Sequence, residues 1–188
     1  MELKWKTREV VIIAIIAAVI GVIYTLMDYL YMPLYGLLGP VFMELTFGIY
    51  LLSALLPAFI VRKPGFAIFG ALVTAGVNIL LGSAYGIQIV LAGALQAIGV
   101  EIGLAIWKYK ANLASLIAGS ILAAIFVFVR DYIVFGYSTY SIGLLVGMLA
   151  VRFVSAAVIG ILLVKLIRAG LAKAGVLKNF KPIEAEKA

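Results

Sequence analysis

The sequence predicts an all-α membrane protein: six transmembrane helices in one bundle, a single domain over residues 1–188, with both termini cytoplasmic. Three observations carry that expectation. Hydrophobic residues make up 66% of the chain and charged residues 12%, against about half and about one-quarter in soluble domains; mean hydropathy is +1.23. Apolar runs suited to helical crossings recur along the whole chain, with no polar stretch long enough for a second domain. The connections between those runs alternate between basic and free of Lys and Arg, the charge pattern of a multi-pass topology.

The elements follow in order. Residues 1–9, MELKWKTRE, form a short basic lead. The apolar run at about 10–27 is too long for a signal-peptide core and lacks a small-x-small cleavage pattern after it, so it reads as a retained first span. YLYMPLYGLLGP follows as an uncharged connection, with Tyr29, Tyr31 and Tyr35 suited to an aromatic belt. Pro40 marks a fresh helix start, and a second span covers about 41–61, with Glu44 early and Pro57 late. Arg62-Lys63-Pro64-Gly65 makes a basic turn into a short third span at about 66–81. LGSAYG leads without charge into a fourth at about 86–107, which Lys108-Tyr109-Lys110 closes. The fifth span covers about 112–135, GYSTYS is again uncharged, and the sixth covers about 142–167. Residues 168–188 form a basic cytoplasmic tail.

The net charge of +7 is distributed in short clusters between apolar runs, which is a topological pattern and not a nucleic-acid-binding surface. With no His and no Cys, the chain lacks the commonest general base and the soft metal ligands. It has no G-x-x-x-x-G-K-[ST] phosphate loop, no H-E-x-x-H and no G-x-S-x-G elbow. No metal or cofactor is expected.

Polar side chains inside the apolar runs are the functional signal, because an ionisable group at a helix centre costs roughly 2.5–3.5 kcal/mol. The topology puts Glu44, Asn78, Gln88 and Asp131, from four different spans, in the outer third of the membrane. Gln96 and Arg152 lie nearer the middle, and Glu101 lies deeper. The outer set, ringed by aromatic residues such as Tyr85, Tyr132 and Tyr137, predicts a pocket open to the outside for a small polar or cationic aromatic ligand. Arg152 needs a partner, and Glu101 is the acid whose depth can match it. A structural ion pair between the fourth and sixth spans is therefore expected. Arg130 beside Asp131 is readable as a local interfacial feature. Ala14 and Ala18, four apart on the first span, form a small-residue face that permits close helix approach; Ala17/Gly21 and Gly99/Gly103 share that spacing.

Several stretches together resemble a known family: GPVFMELTFGIY (39–50), RKPG (62–65), LLGSAYG (80–86), ALQAIGVE (94–101), and the region from RDYIVFGYSTYS to VRFVSA (130–156). Over residues 5–178 the chain resembles the S components of energy-coupling factor (ECF) transporters, and is similar to the YkoE type, associated with thiamine and its hydroxymethylpyrimidine precursor. The resemblance implies a substrate-binding subunit of a prokaryotic plasma-membrane importer, without catalytic activity. It implies as partners a transmembrane coupling protein, contacted through Ala14 and Ala18, and two ABC ATPases. Glu44 or Asp131 would attract the thiazolium, while Asn78, Gln88 or Gln96 would satisfy ring nitrogens. Three other readings stay open: an S component for a different vitamin, a structural or assembly protein without ligand, and an intramembrane enzyme using Glu44, Glu101 or Asp131.

Overall fold

The computed structural model describes residues 4–178 and 180, and among them every regular element is helical. The part of the predicted tail at 181–188 and the first three residues of the lead lie outside the described residues. Helix α1 spans Thr7–Met43, α2 Phe47–Tyr50, α3 Leu52–Val61, α4 Phe66–Leu80, α5 Gln88–Ile106, α6 Leu113–Val134, α7 Ile142–Val154 and α8 Ile161–Lys173. Four runs are long and apolar enough to cross a bilayer, namely Thr7–Val61, Gln88–Ile106, Leu113–Val134 and Ile142–Lys173; Phe66–Leu80 is a shorter apolar helix.

Thr7–Val61 is folded back on itself. Its 55 residues would reach roughly 80 Å as a straight helix, against a hydrocarbon core of about 30 Å. The reversal falls at Gly39, whose φ of 76° and ψ of 170° suit glycine and end the helical path. Beyond it the chain returns along α1: Tyr24 Oη lies 2.8 Å from Ile49 O and 2.5 Å from Tyr50 O.

The stretch expected to be a loop after residue 27 is helical up to that break. The reason is the face it presents. Tyr24, Asp28, Tyr31 and Tyr35 recur at helical spacing and so share one side of α1, where they wall an internal cavity. Pro33 is accommodated within this run, as prolines are in packed membrane helices.

The return segment is irregular where it matters. Glu44–Thr46 is a 3₁₀ turn, and α2 and α3 meet at Leu51. Opposite it, Ser155–Gly160 is a π-helical bulge joining α7 to α8, a feature often found at functional sites. The two irregularities lock together. Ser155 Oγ donates to Leu45 O at 2.6 Å and accepts from Gly48 N at 2.8 Å. A Cβ on Gly48 would sit 2.8 Å from Gly160 N, so glycine is required for this approach.

Elsewhere small residues let helices close. Gly99 and Gly103 of α5 lie against Ala123 and Gly119 of α6. Ala17 and Gly21 are buried against α4, where Thr74 Oγ1 donates to Ala17 O at 3.1 Å. Ala14 and Ala18, on the adjoining face, are half-buried beside exposed Val11, Ile15 and Val19.

At the basic end, the N-terminal lead packs on the turn after α3. Lys63 Nζ donates to Lys4 O and to both Glu9 carboxylate oxygens, each at 2.8 Å. Trp5 Nε1 donates to Pro64 O at 3.0 Å, with its ring 4.4 Å from that of Phe66.

Candidate functional site

A cavity of about 490 Å³ opens among α1, the 3₁₀ turn, α2 to α7, the α4–α5 connection and the 137–140 connection. That is within the range of roughly 300–1,000 Å³ typical of small-molecule sites. Its wall is mostly aromatic and aliphatic, with Tyr24, Tyr31, Tyr35, Tyr50, Tyr85, Tyr137 and Tyr140 all contributing. The Tyr35 and Tyr140 hydroxyls hydrogen-bond at 2.5 Å, joining α1 to the 137–140 connection. The rings of Tyr31 and Tyr85 meet edge-on with centroids 6.1 Å apart.

One polar cluster is ionic. Arg152 Nε donates to Glu44 Oε2 at 2.5 Å, and its Nη2 donates to Glu44 Oε1 at 3.1 Å and Asp131 Oδ2 at 2.8 Å. Arg130 Nη1 donates to Asp131 Oδ1 at 2.7 Å and Nη2 to Gln88 O at 2.8 Å. Two guanidinium groups thus balance two carboxylates. Side-chain exposure across the four is 4–9%, and the cations rest on rings: Arg152 lies 5.0 Å from the Phe47 and Phe128 centroids, Arg130 4.2 Å from Phe135. Tyr137 Oη donates to Glu44 Oε1 at 3.2 Å. Burial first, then the Glu44 charge, pushes the Tyr137 phenol above its ordinary range, which keeps it a donor.

The second cluster centres on Asp28, which is 2% exposed. Its Oδ2 accepts from Asn78 Nδ2 and Ser83 Oγ, both at 2.9 Å, and its Oδ1 from Tyr50 Oη at 3.1 Å. Thr25 Oγ1 supports Asn78 by donating to its Oδ1 at 2.9 Å. Burial, then the Asp28 charge, pushes the Tyr85 phenol up to about 12.

The expected residues divide clearly. Glu44, Asn78, Tyr85, Gln96, Asp131 and Tyr137 all line the cavity, together with Arg152. Tyr132 does not: it is 44% exposed, because one residue beyond Asp131 is a turn of about 100° around α6. The Gln88 side chain is also outside the cavity wall, and its contribution is the backbone carbonyl that holds Arg130.

The expected Glu101–Arg152 ion pair is corrected. Glu101 Oε1 accepts from Ala67 N at 2.9 Å and Oε2 from Tyr109 Oη at 2.6 Å. It therefore satisfies an open amide at the start of α4, where a negative charge is also favoured by the helix dipole. Matching depth along the bundle had left direction around each helix undetermined, and Arg152 points to Glu44 and Asp131. Arg130 likewise is no isolated interfacial group.

Sequence reasoning passed over Asp28 and placed Tyr31 and Tyr35 at an interface. The signal was the spacing of Tyr24, Asp28, Tyr31 and Tyr35, which marks one helix face running through the supposed loop.

Comparison with known proteins agrees with this architecture. Residues 8–126 match the family described as "ABC-type cobalt transport system, permease component". The chain is 34% identical over 177 residues, 94% of its length and 89% of the relative's, to "Putative HMP/thiamine permease protein YkoE" of Bacillus subtilis (strain 168). It superposes with a TM-score of 0.88 and 33% identity on a crystal structure of an S-component of an ECF transporter, covering 93% of this chain and 89% of that one. The chain therefore belongs to the YkoE type of ECF-transporter S components, multi-pass proteins of the prokaryotic plasma membrane that serve transport and are not enzymes.

Proposed function

We propose that this chain captures thiamine or its hydroxymethylpyrimidine precursor in the aromatic cavity and presents it to an ECF module for import. The observation that carries the reading is the cavity itself. In a chain of this family, a space of about 490 Å³ is walled by tyrosines and converging carboxylate, amide and hydroxyl groups, the complement of an aminopyrimidine ring. Asn78, Gln96 and Tyr137 are the groups proposed to meet ring nitrogens and hydroxyls, with Tyr85 stacking beside them.

The cavity is proposed to face outward. Its lining includes Tyr31, Tyr35, Tyr85, Tyr137 and Tyr140, from the stretches free of Lys and Arg, whereas Arg62, Lys63, Lys108 and Lys110 lie at the opposite helix ends. By the positive-inside rule those basic turns are cytoplasmic, and the reversal at Gly39 supports six crossings with both termini inside. Partners are a transmembrane coupling protein and two ABC ATPases, since the chain carries no phosphate loop of its own. The half-buried Ala14/Ala18 face is the proposed contact with the coupling protein.

Cobalt, which the description of the matching family mentions, does not suit these residues. The sequence has no His or Cys, no group of three or more candidate ligands occurs among the described residues, and Glu44 and Asp131 are engaged by arginines.

Calorimetry on the detergent-purified chain tests the reading, with thiamine and hydroxymethylpyrimidine as ligands and riboflavin and biotin as controls. Saturable binding of a pyrimidine compound is expected. Binding of riboflavin or biotin instead would reassign the substrate, and no binding by a well-folded sample would remove the function.

A further inference from the structure

Charge is distributed unevenly around the cavity. Glu44 and Asp131 are neutralised by Arg152 and Arg130, and each of their four oxygens already accepts a hydrogen bond from a guanidinium. A cationic ligand would gain little from carboxylates so engaged. Asp28 is different. All three of its hydrogen-bond donors, Tyr50, Asn78 and Ser83, are neutral. Among the described residues no Lys or Arg nitrogen pairs with it; the ion pairs there involve Glu9, Glu44 and Asp131.

We infer that Asp28 is the counter-ion for a positively charged heteroaromatic ligand, and that it, not Glu44 or Asp131, makes the site prefer the cation over a neutral pyrimidine. The inference rests on the proposed function and assigns charge recognition within it. A carboxylate offers about four acceptor positions; three are filled, and the vacant one is on Oδ1. The surrounding rings of Tyr31, Tyr50 and Tyr85 can hold a cation against their faces. A buried carboxylate without a cation is unfavourable, so a ligand that brings its own positive charge completes the site. A neutral ring supplies donors but leaves the charge uncompensated.

The test compares thiamine, whose thiazolium is permanently charged, with hydroxymethylpyrimidine at a mildly alkaline pH where its ring is neutral. Calorimetry is run on the wild-type chain, Asp28→Asn and Glu44→Gln. Asp28→Asn is expected to weaken thiamine binding by about thirtyfold or more and to leave the neutral compound almost unaffected. Glu44→Gln is expected to shift both ligands alike. Equal losses for the two ligands in Asp28→Asn would make Asp28 a structural hub and overturn the inference, as would unchanged thiamine affinity. Should Asp28→Asn not fold, the wild-type chain is titrated with a neutral thiophene analogue of thiamine: weaker binding by about tenfold or more supports the counter-ion, and equal affinity overturns it. A wild-type chain that binds neither pyrimidine removes the proposed function itself, a result distinct from wild-type binding that ignores the charge.

Discussion

At the basic end of the bundle, Glu9 and Glu101 serve helix starts. Glu9 Oε2 accepts from Lys6 N at 3.0 Å while gripping Lys63, and Glu101 accepts from Ala67 N. At the cavity end, Glu44 and Asp131 serve Arg152, across connections of 108 and 21 residues. The first kind of contact replaces water at a backbone amide at the start of a helix. The second closes an ionic cluster inside the bundle, where each charge depends on the others. The same residue type is thus a local cap in one region and part of an interdependent network in the other, and substitution should separate the two.

The largest effect belongs to the network. Arg152→Met leaves Glu44 without a cation and Asp131 with one partner fewer, and breaking a buried pair from one side costs about 3–5 kcal/mol. Thermal unfolding in detergent should show a large fall in Tm. Removing Glu44 as well restores charge balance, since Asp131 keeps Arg130. The double variant Arg152→Met/Glu44→Gln should therefore recover much of the loss, a coupling that a double-mutant cycle measures directly. Additive losses would show that the cluster is not a unit, and the contrast between the two ends would disappear.

This contrast also governs what the chain revealed before its fold was known. Arg152 announced a partner because a guanidinium well inside an apolar run is costly, but hydropathy specifies depth and not direction around a helix. Depth therefore pointed to Glu101, while Glu44 was placed in the outer third as a ligand-site residue. The basic turns at 62–65 and 108–110 were legible because charge must leave the hydrocarbon, and the helix ends nearby fell close to expectation. Asp28 was not, because it lies where the apolar run meets a Tyr-, Gly- and Pro-rich stretch that reads as a turn. Tertiary packing made that stretch a helix. Six of the eight expected ligand-site residues line the cavity, as inward-facing polar groups in lipid should. Tyr132 failed because aromatic character does not reveal which side of α6 it occupies.

A smaller effect is expected at Glu101. Glu101→Gln keeps an oxygen that can accept from Ala67 N, so the cost should resemble a weakened helix cap, about 0.5–2 kcal/mol. Thermal unfolding reads the stability and calorimetry the ligand affinity, which should be unchanged. A drop as large as that of Arg152→Met, or a lost ligand, would show that the basic end is coupled to the cavity and that the two regions are not separable.

The smallest effect is the pH dependence that Tyr109 contributes. This residue lies in the connection after α5, and its phenol is raised above the ordinary Tyr value of 10.0, by burial first and then by the hydrogen bond and charge of Glu101. The folded state therefore holds the phenolic proton more tightly than the unfolded chain. The contribution to stability is fully present below a pH of about 10 and is lost as pH rises through the higher folded value. Tyr109→Phe cannot ionise and lacks the bond to Glu101. Its stability should fall below that of the wild-type chain at neutral pH, and the difference should shrink as the solution is made strongly alkaline. A difference that stays constant with pH would assign the loss to packing alone and leave Glu101 with the Ala67 amide as its working contact.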